Sequence, residues 1–149
     1  MRRRWLFSVL MVTLCAAAVV SAKGPTRRVV ISGGQLSAGT AIVVTAPDAL
    51  ASVWDGSFIG VPCNPPSAGE PRYSVSFYVQ RPREKEARVM YVVQYVRDAS
   101  ASGRGFVYLP GRGEPNYALN VSAILRPGHD GRWHRADDRW SSAINSALP

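Results

Sequence analysis

The densest run of potential chemistry in the sequence is His129-Asp130-Gly131-Arg132-Trp133-His134, followed closely by Asp137 and Asp138. Imidazole beside carboxylate is the pairing used to hold a transition metal or to move a proton in hydrolysis. The spacing is unspecific, however. Two histidines five residues apart match no strong ligand pattern, unlike histidines one helical turn apart. Read structurally, His129 is a turn residue, His134 leads into the last helix, and Asp137 and Asp138 are charges at that helix's start. Cys63 is a second candidate, because a lone thiol with a histidine partner can act as a nucleophile. Its flanks, Val61-Pro62-Cys63-Asn64-Pro65-Pro66, lack the helix N-terminus that usually lowers a thiol pKa. A buried, unreactive cysteine fits them better. No Gly-x-Ser-x-Gly elbow occurs. The catalytic candidates are therefore His134, His129, Asp137 and Cys63, with no metal site and no cofactor expected.

Arginine offers a different chemistry. Gly103-Arg104-Gly105 and Gly111-Arg112-Gly113 flank a short apolar run. Glycine lets backbone N–H groups converge, and arginine adds a forked donor for carboxylate or phosphate. At the two ends of one strand, Arg104 and Arg112 would stand roughly 20 Å apart, at ~3.3 Å per residue. That is too far for one small anion but within reach of an extended anionic chain. Ordinary turn chemistry explains the same residues. Arg27, Arg28, Arg72, Arg81, Arg83 and Arg88 add charge at strand ends, and Tyr78 is placed to stack on a sugar or base. Trp54, Trp133 and Trp140 would form a sugar platform or, as is more usual in a small domain, a core.

These groups must be positioned by one small domain. The chain of 149 residues opens Met1-Arg2-Arg3-Arg4-Trp5, runs apolar from Leu6 to Val20 and leaves through Ser21-Ala22. A basic start, an apolar stretch and a small-residue exit read as a signal peptide over 1–22. The stretch is shorter than the ~20 residues a membrane-spanning helix needs. Leu14 before Cys15 also argues against a lipoprotein. The expectation is an exported protein, periplasmic or extracellular, with no transmembrane segment after cleavage. Residues 23–149 then form a single domain with one core. The formal charge of +8 falls to +5 without Arg2, Arg3 and Arg4, and every remaining basic residue but Lys23 and Lys85 is arginine. Such charge favours encounter with anionic polymers or acidic proteins, and export argues against nucleic acid. Cys15 leaves with the signal, so Cys63 has no intramolecular disulfide partner.

Strict alternation in Arg72–Gln80 sets Tyr73, Val75, Phe77 and Val79 against Ser74, Ser76, Tyr78 and Gln80, as in a half-buried strand. Ala87–Arg97 and Gly105–Leu109 complete an antiparallel meander with turns at 81–87 and 98–103. The middle strand is apolar on both faces, which places it at the centre of the sheet. Thr26–Ser32 and Thr40–Thr45 read as a preceding hairpin across Gly33-Gly34. A short helix is expected at 46–54, turning Leu50, Val53 and Trp54 inward, and a Pro- and Gly-rich loop at 55–71 packs as a lid over one sheet edge. Tyr117–Leu125 reads as extended structure running into a turn. Asp137–Leu148 is the strongest helix, with Trp140, Ala143, Ile144, Ala147 and Leu148 on one face. The fold class is α+β, an antiparallel sheet of about five strands packed by the C-terminal helix.

Lys23-Gly24-Pro25-Thr26, Ile31-Ser32-Gly33-Gly34, Ile42–Thr45, Tyr73–Phe77, Leu109–Gly113 and Gly131-Arg132-Trp133 with Trp140 together resemble a group of small exported bacterial proteins of uncharacterised role. The resemblance implies a bacterial exported domain and brings no activity or site residue. Three functions are consistent with the sequence. The first is a non-enzymatic module that binds an anionic cell-envelope component or an acidic protein partner. The second is a metal-assisted or acid–base hydrolase using His129, His134 and nearby carboxylates, and the third an inhibitor presenting the 55–71 loop.

Overall fold

A computed structural model describes residues 24–47, 50, 57–101 and 103–149. Seven strands form one antiparallel sheet: β1 (Thr26–Gly33), β2 (Ala41–Val44), β3 (Ile59–Cys63), β4 (Arg72–Val79), β5 (Arg88–Arg97), β6 (Gly105–Leu109) and β7 (Arg132–Ala136). Their spatial order is β2-β1-β4-β5-β6-β7-β3. Two described helices complete the chain, α1 (Tyr117–Val121) and α2 (Asp138–Ala147). The architecture is α+β and forms a single domain. The expected signal segment lies outside the described residues, as does most of the expected helix at 46–54. From that helix, Leu50 is described and lies in the core. Among the described residues no helix is long and apolar enough to cross a membrane.

The meander β4-β5-β6 and the hairpin β1-β2 form where the alternation places them. Two further strands come from less regular sequence. Part of the 55–71 loop folds as β3, which pairs with β7 and forms one edge of the sheet. The ladder skips between Ile59 and Pro62, and Val61 stays exposed. Proline is tolerated here because an edge strand has one unpaired side. His134, expected to lead into the helix, lies instead within β7. Tyr117–Val121, expected to be extended, is helical. The reason is local to Asn120, which is fully buried. β6 ends at Leu109, so Val92 on β5, which faces Ser76 of β4 on one side, has no strand partner on the other. The Asn120 side chain fills the gap: its Oδ1 accepts from Val92 N–H at 2.9 Å, and its Nδ2 donates to Val92 O at 2.6 Å. An amide side chain thus replaces one rung of the ladder, and a helical turn delivers it there.

Register assigns every side chain to one of two faces. On the front face lie Val29 and Ile31 of β1, then Tyr73, Val75, Phe77 and Val79 of β4. Tyr91, Val93 and Tyr95 of β5 join Val107 and Leu109 of β6, and all are buried. α2 covers this face. Asp137 caps it by accepting Trp140 N–H at 3.0 Å, while Asp137 N–H donates to Phe58 O at 2.8 Å. Cap and β3 edge are tied together. Trp140 then stacks on Phe58 at 4.3 Å and meets Tyr95 edge-on at 5.7 Å, with Phe77 on Tyr91 at 4.3 Å beyond. This aromatic layer is the core.

Candidate functional site

The predicted catalytic residues come apart. His134 is fully buried on the front face, opposite Val107. Its Nδ1 lies 3.2 Å from Gly60 O and its Nε2 3.2 Å from His129 O, so both ring nitrogens face backbone carbonyls. His129 stacks obliquely on it at 4.9 Å, and its Nδ1 is buried without a hydrogen-bond partner among the described residues. Burial, then His134 and Arg126, push the His129 pKa down. Asp137 is used as the α2 cap, and Asp138 pairs with Arg104 across 3.2 Å in an exposed contact. Cys63 sits opposite Trp133, while its neighbour Pro62 sits opposite His134. Thiol and imidazole are therefore on opposite faces of the sheet. Burial raises the Cys63 pKa, only partly offset by Arg135. No group of three or more potential metal-binding side chains occurs among the described residues.

The two glycine–arginine motifs also have structural explanations. Gly105 packs flat against Tyr95, where any Cβ would collide with the ring. Gly111 abuts the Gly131 backbone. Gly103 and Gly113 have positive φ, 74° and 88°, in turns that suit glycine. Arg104 and Arg112 stand beyond opposite ends of β6 and do not converge.

A different set of arginines shares one side of the sheet, the back face. Arg28 of β1 stacks over Tyr78 of β4, 4.2 Å from its centroid. Arg72 of β4 reaches over Trp133 of β7 at 5.3 Å, and Arg135 of β7 covers Phe106 of β6 at 4.3 Å. Trp133 lies 5.2 Å from Tyr108. Strand alternation explains the shared side, since each of these residues is one place out of step with a front-face residue. The cations spread over roughly 20 Å along the strands and about 19 Å across from β1 to β7, at ~3.3 Å per residue and ~4.8 Å per strand. Arg28 and Arg72 form no ion pair among the described residues.

Two of the concavities on this face differ in how far their polar groups are engaged. The first, about 290 Å³, is lined by Glu70, Arg97, Asp98, Ser100, Phe106 and Arg135, with Pro65 and Pro66. Its groups are largely paired with one another. Arg135 Nη1 donates to Asp98 Oδ2, Ser100 donates to Asp98 Oδ1 through both its hydroxyl and its backbone N–H, and Arg97 bonds Asn145. Ser100 and then Arg135 hold the Asp98 carboxyl down at about 2. The second, about 320 Å³, lies where the 110–116 loop overhangs β4 and β5. Arg72, Ser74, Val92, Gln94, Pro110, Pro115 and Asn116 are among its lining residues. Glu114 fixes that loop: its carboxylate accepts from Tyr108 Oη at 2.9 Å and from Gly111 N–H at 2.8 Å. The side chains of Ser74, Gln94 and Asn116 make no hydrogen bond among the described residues. The back-face site was only partly visible in the sequence. Tyr78, Arg28 and Arg72 stood out, but Phe106, Tyr108, Gln94 and Arg135 carried no signal until register placed them beside each other.

Comparison with protein-family models, with curated proteins and with solved structures finds no match for this chain.

Proposed function

We propose that this chain is an exported bacterial binding module whose back sheet face holds an anionic polysaccharide of the cell envelope. The observation that carries the reading is the placement of three arginine–aromatic pairs on one face, Arg28 on Tyr78, Arg72 on Trp133 and Arg135 on Phe106. A guanidinium offers a planar fork to a carboxylate, and the ring beneath it holds that fork in place. Their spread suits a chain of several units better than one small ion. Export rests on the basic, apolar and small-residue sequence of 1–22. Binding is favoured over hydrolysis because His134 and Cys63 face opposite sides of the sheet and both His134 nitrogens face carbonyls.

The test is thermal unfolding of the full chain with polygalacturonate, neutral dextran or poly-glutamate, each at low and high salt. Polygalacturonate is expected to raise Tm at low salt, and the rise is expected to shrink as salt screens the charges. Arg28→Ala with Arg72→Ala should remove most of it. An equal shift from dextran, or an undiminished shift in the double variant, would refute the charged-face reading. A shift from poly-glutamate alone would replace the polysaccharide with an acidic protein.

A further inference from the structure

We infer that the cavity under the 110–116 loop is a subsite for a single hexuronate unit, the carboxylate on Arg72 and the ring hydroxyls on Ser74, Gln94 and Asn116. The inference rests on the polysaccharide reading above and names the unit that is recognised. Its volume of about 320 Å³ lies at the small end of the roughly 300–1,000 Å³ typical of ligand sites. One sugar ring is the largest group that suits it.

The decisive contrast is with the neighbouring concavity of similar size. There, Asp98, Ser100, Arg97 and Arg135 satisfy one another or nearby side chains. Under the 110–116 loop, one guanidinium, one hydroxyl and two carboxamides remain without hydrogen bonds among the described residues. Ser74 and Gln94 are directly opposite in the ladder, so they reach the cavity floor side by side. Asn116 comes from the loop in a left-handed conformation, φ 67°, and its side chain caps nothing in the helix that follows. Carboxamides and a hydroxyl both donate and accept, which matches sugar hydroxyls. Pro110 and Pro115 supply apolar walls.

Charge selects the acid. Arg72 is the one cation lining the cavity among the described residues, so it matches a singly charged carboxylate better than a phosphate carrying nearly two charges. Glu114 lies close by and keeps its charge, but Tyr108 and Gly111 hold its carboxylate on the loop, and it forms no ion pair with Arg72 among the described residues.

The experiment follows the side-chain amide resonances of Gln94 and Asn116 in the full chain during titration with D-glucuronate and, separately, D-glucose. Polygalacturonate affinity is measured alongside for Gln94→Leu and Arg72→Lys. Glucuronate is expected to move both amides, and glucose is not. Gln94→Leu, which leaves the charge of the face intact, should weaken polymer binding about five- to tenfold without altering its salt dependence. Arg72→Lys keeps the charge but loses the fork, and should weaken binding roughly tenfold. If both variants bind polygalacturonate like the parent, while Arg28→Ala with Arg72→Ala still weakens it, the charged face stands and this subsite is wrong. If the unmodified chain binds no polygalacturonate, both readings fail together. Equal amide shifts with glucose would remove Arg72 as the selecting group and overturn the choice of an acid.

Discussion

Phe77 and Tyr78 are adjacent on β4 and meet opposite surroundings. Phe77 is sealed between Tyr91 and Trp140, in an aromatic layer closed by α2. Tyr78 lies on the other side of the same strand, half-buried beneath Arg28. The same comparison holds along β5 for Tyr95 and Gln94. Tyr95 donates to Asn145 at 2.8 Å, and burial drives its hydroxyl pKa up to about 12. Gln94 lines an open cavity. On the front face, rings meet rings in the absence of water, and their burial stabilises the fold. On the back face, rings meet guanidinium groups at the water boundary, where each contact contributes less to stability; Asp98 engages Arg135, whereas Arg28 and Arg72 form no ion pair among the described residues. One face is thus expected to answer in stability and the other in binding.

The comparison is sharpest at Trp140. Trp140→Ala removes the ring that joins Phe58, Phe77 and Tyr95, and should cost about 3–5 kcal/mol in urea unfolding. Trp140→Phe should cost clearly less, because the indole N–H is buried without a partner among the described residues and its loss forfeits no hydrogen bond there. Asn120→Ala should follow, at about 2–3 kcal/mol, since it orphans the N–H and C=O of Val92. Hydrogen exchange at Val92 would accelerate in the same variant, and an unchanged rate would sever the link between α1 and the ladder.

Asp98 gives a pH-dependent effect of about 1–2 kcal/mol. Its folded pKa, near 2, is depressed from the ordinary 3.8 by Ser100 and Arg135. A depressed carboxyl stabilises the fold at pH values above about 4, and that contribution disappears as pH falls from about 4 towards 2. Asp98→Asn should be less stable at neutral pH and should lack that part of the acid limb when Tm is followed against pH. The smallest stability effect belongs to the back face. Arg28→Ala with Arg72→Ala removes two exposed cation–π contacts and should cost no more than about 1–2 kcal/mol, while polygalacturonate binding falls. A large loss of Tm in that double variant would erase the distinction between the faces.

The period-2 pattern of Arg72–Gln80 was enough to place Tyr73, Val75, Phe77 and Val79 in the core. The two-sided apolar run of β5 was likewise enough to put that strand at the centre of the sheet, because each pattern is a local record of which sides are buried. The C-terminal helix was equally legible, from the two aspartates at its start and the apolar face through Trp140 and Ile144. β3 and α1 were not. Pro62 and Gly60 obscure a strand whose pairing depends on β7, more than sixty residues away in sequence. Tyr117–Val121 is helical because Asn120 must reach Val92, a demand set by where β6 ends. The arginine constellation belongs to the same class. The sequence supplied an excess of arginine and a candidate stacking tyrosine, but Arg28, Arg72 and Arg135 are scattered over more than a hundred residues. Only the order and register of β1, β4, β6 and β7 bring them onto one face, because side-chain direction along a strand is local whereas strand neighbours are chosen by long-range packing.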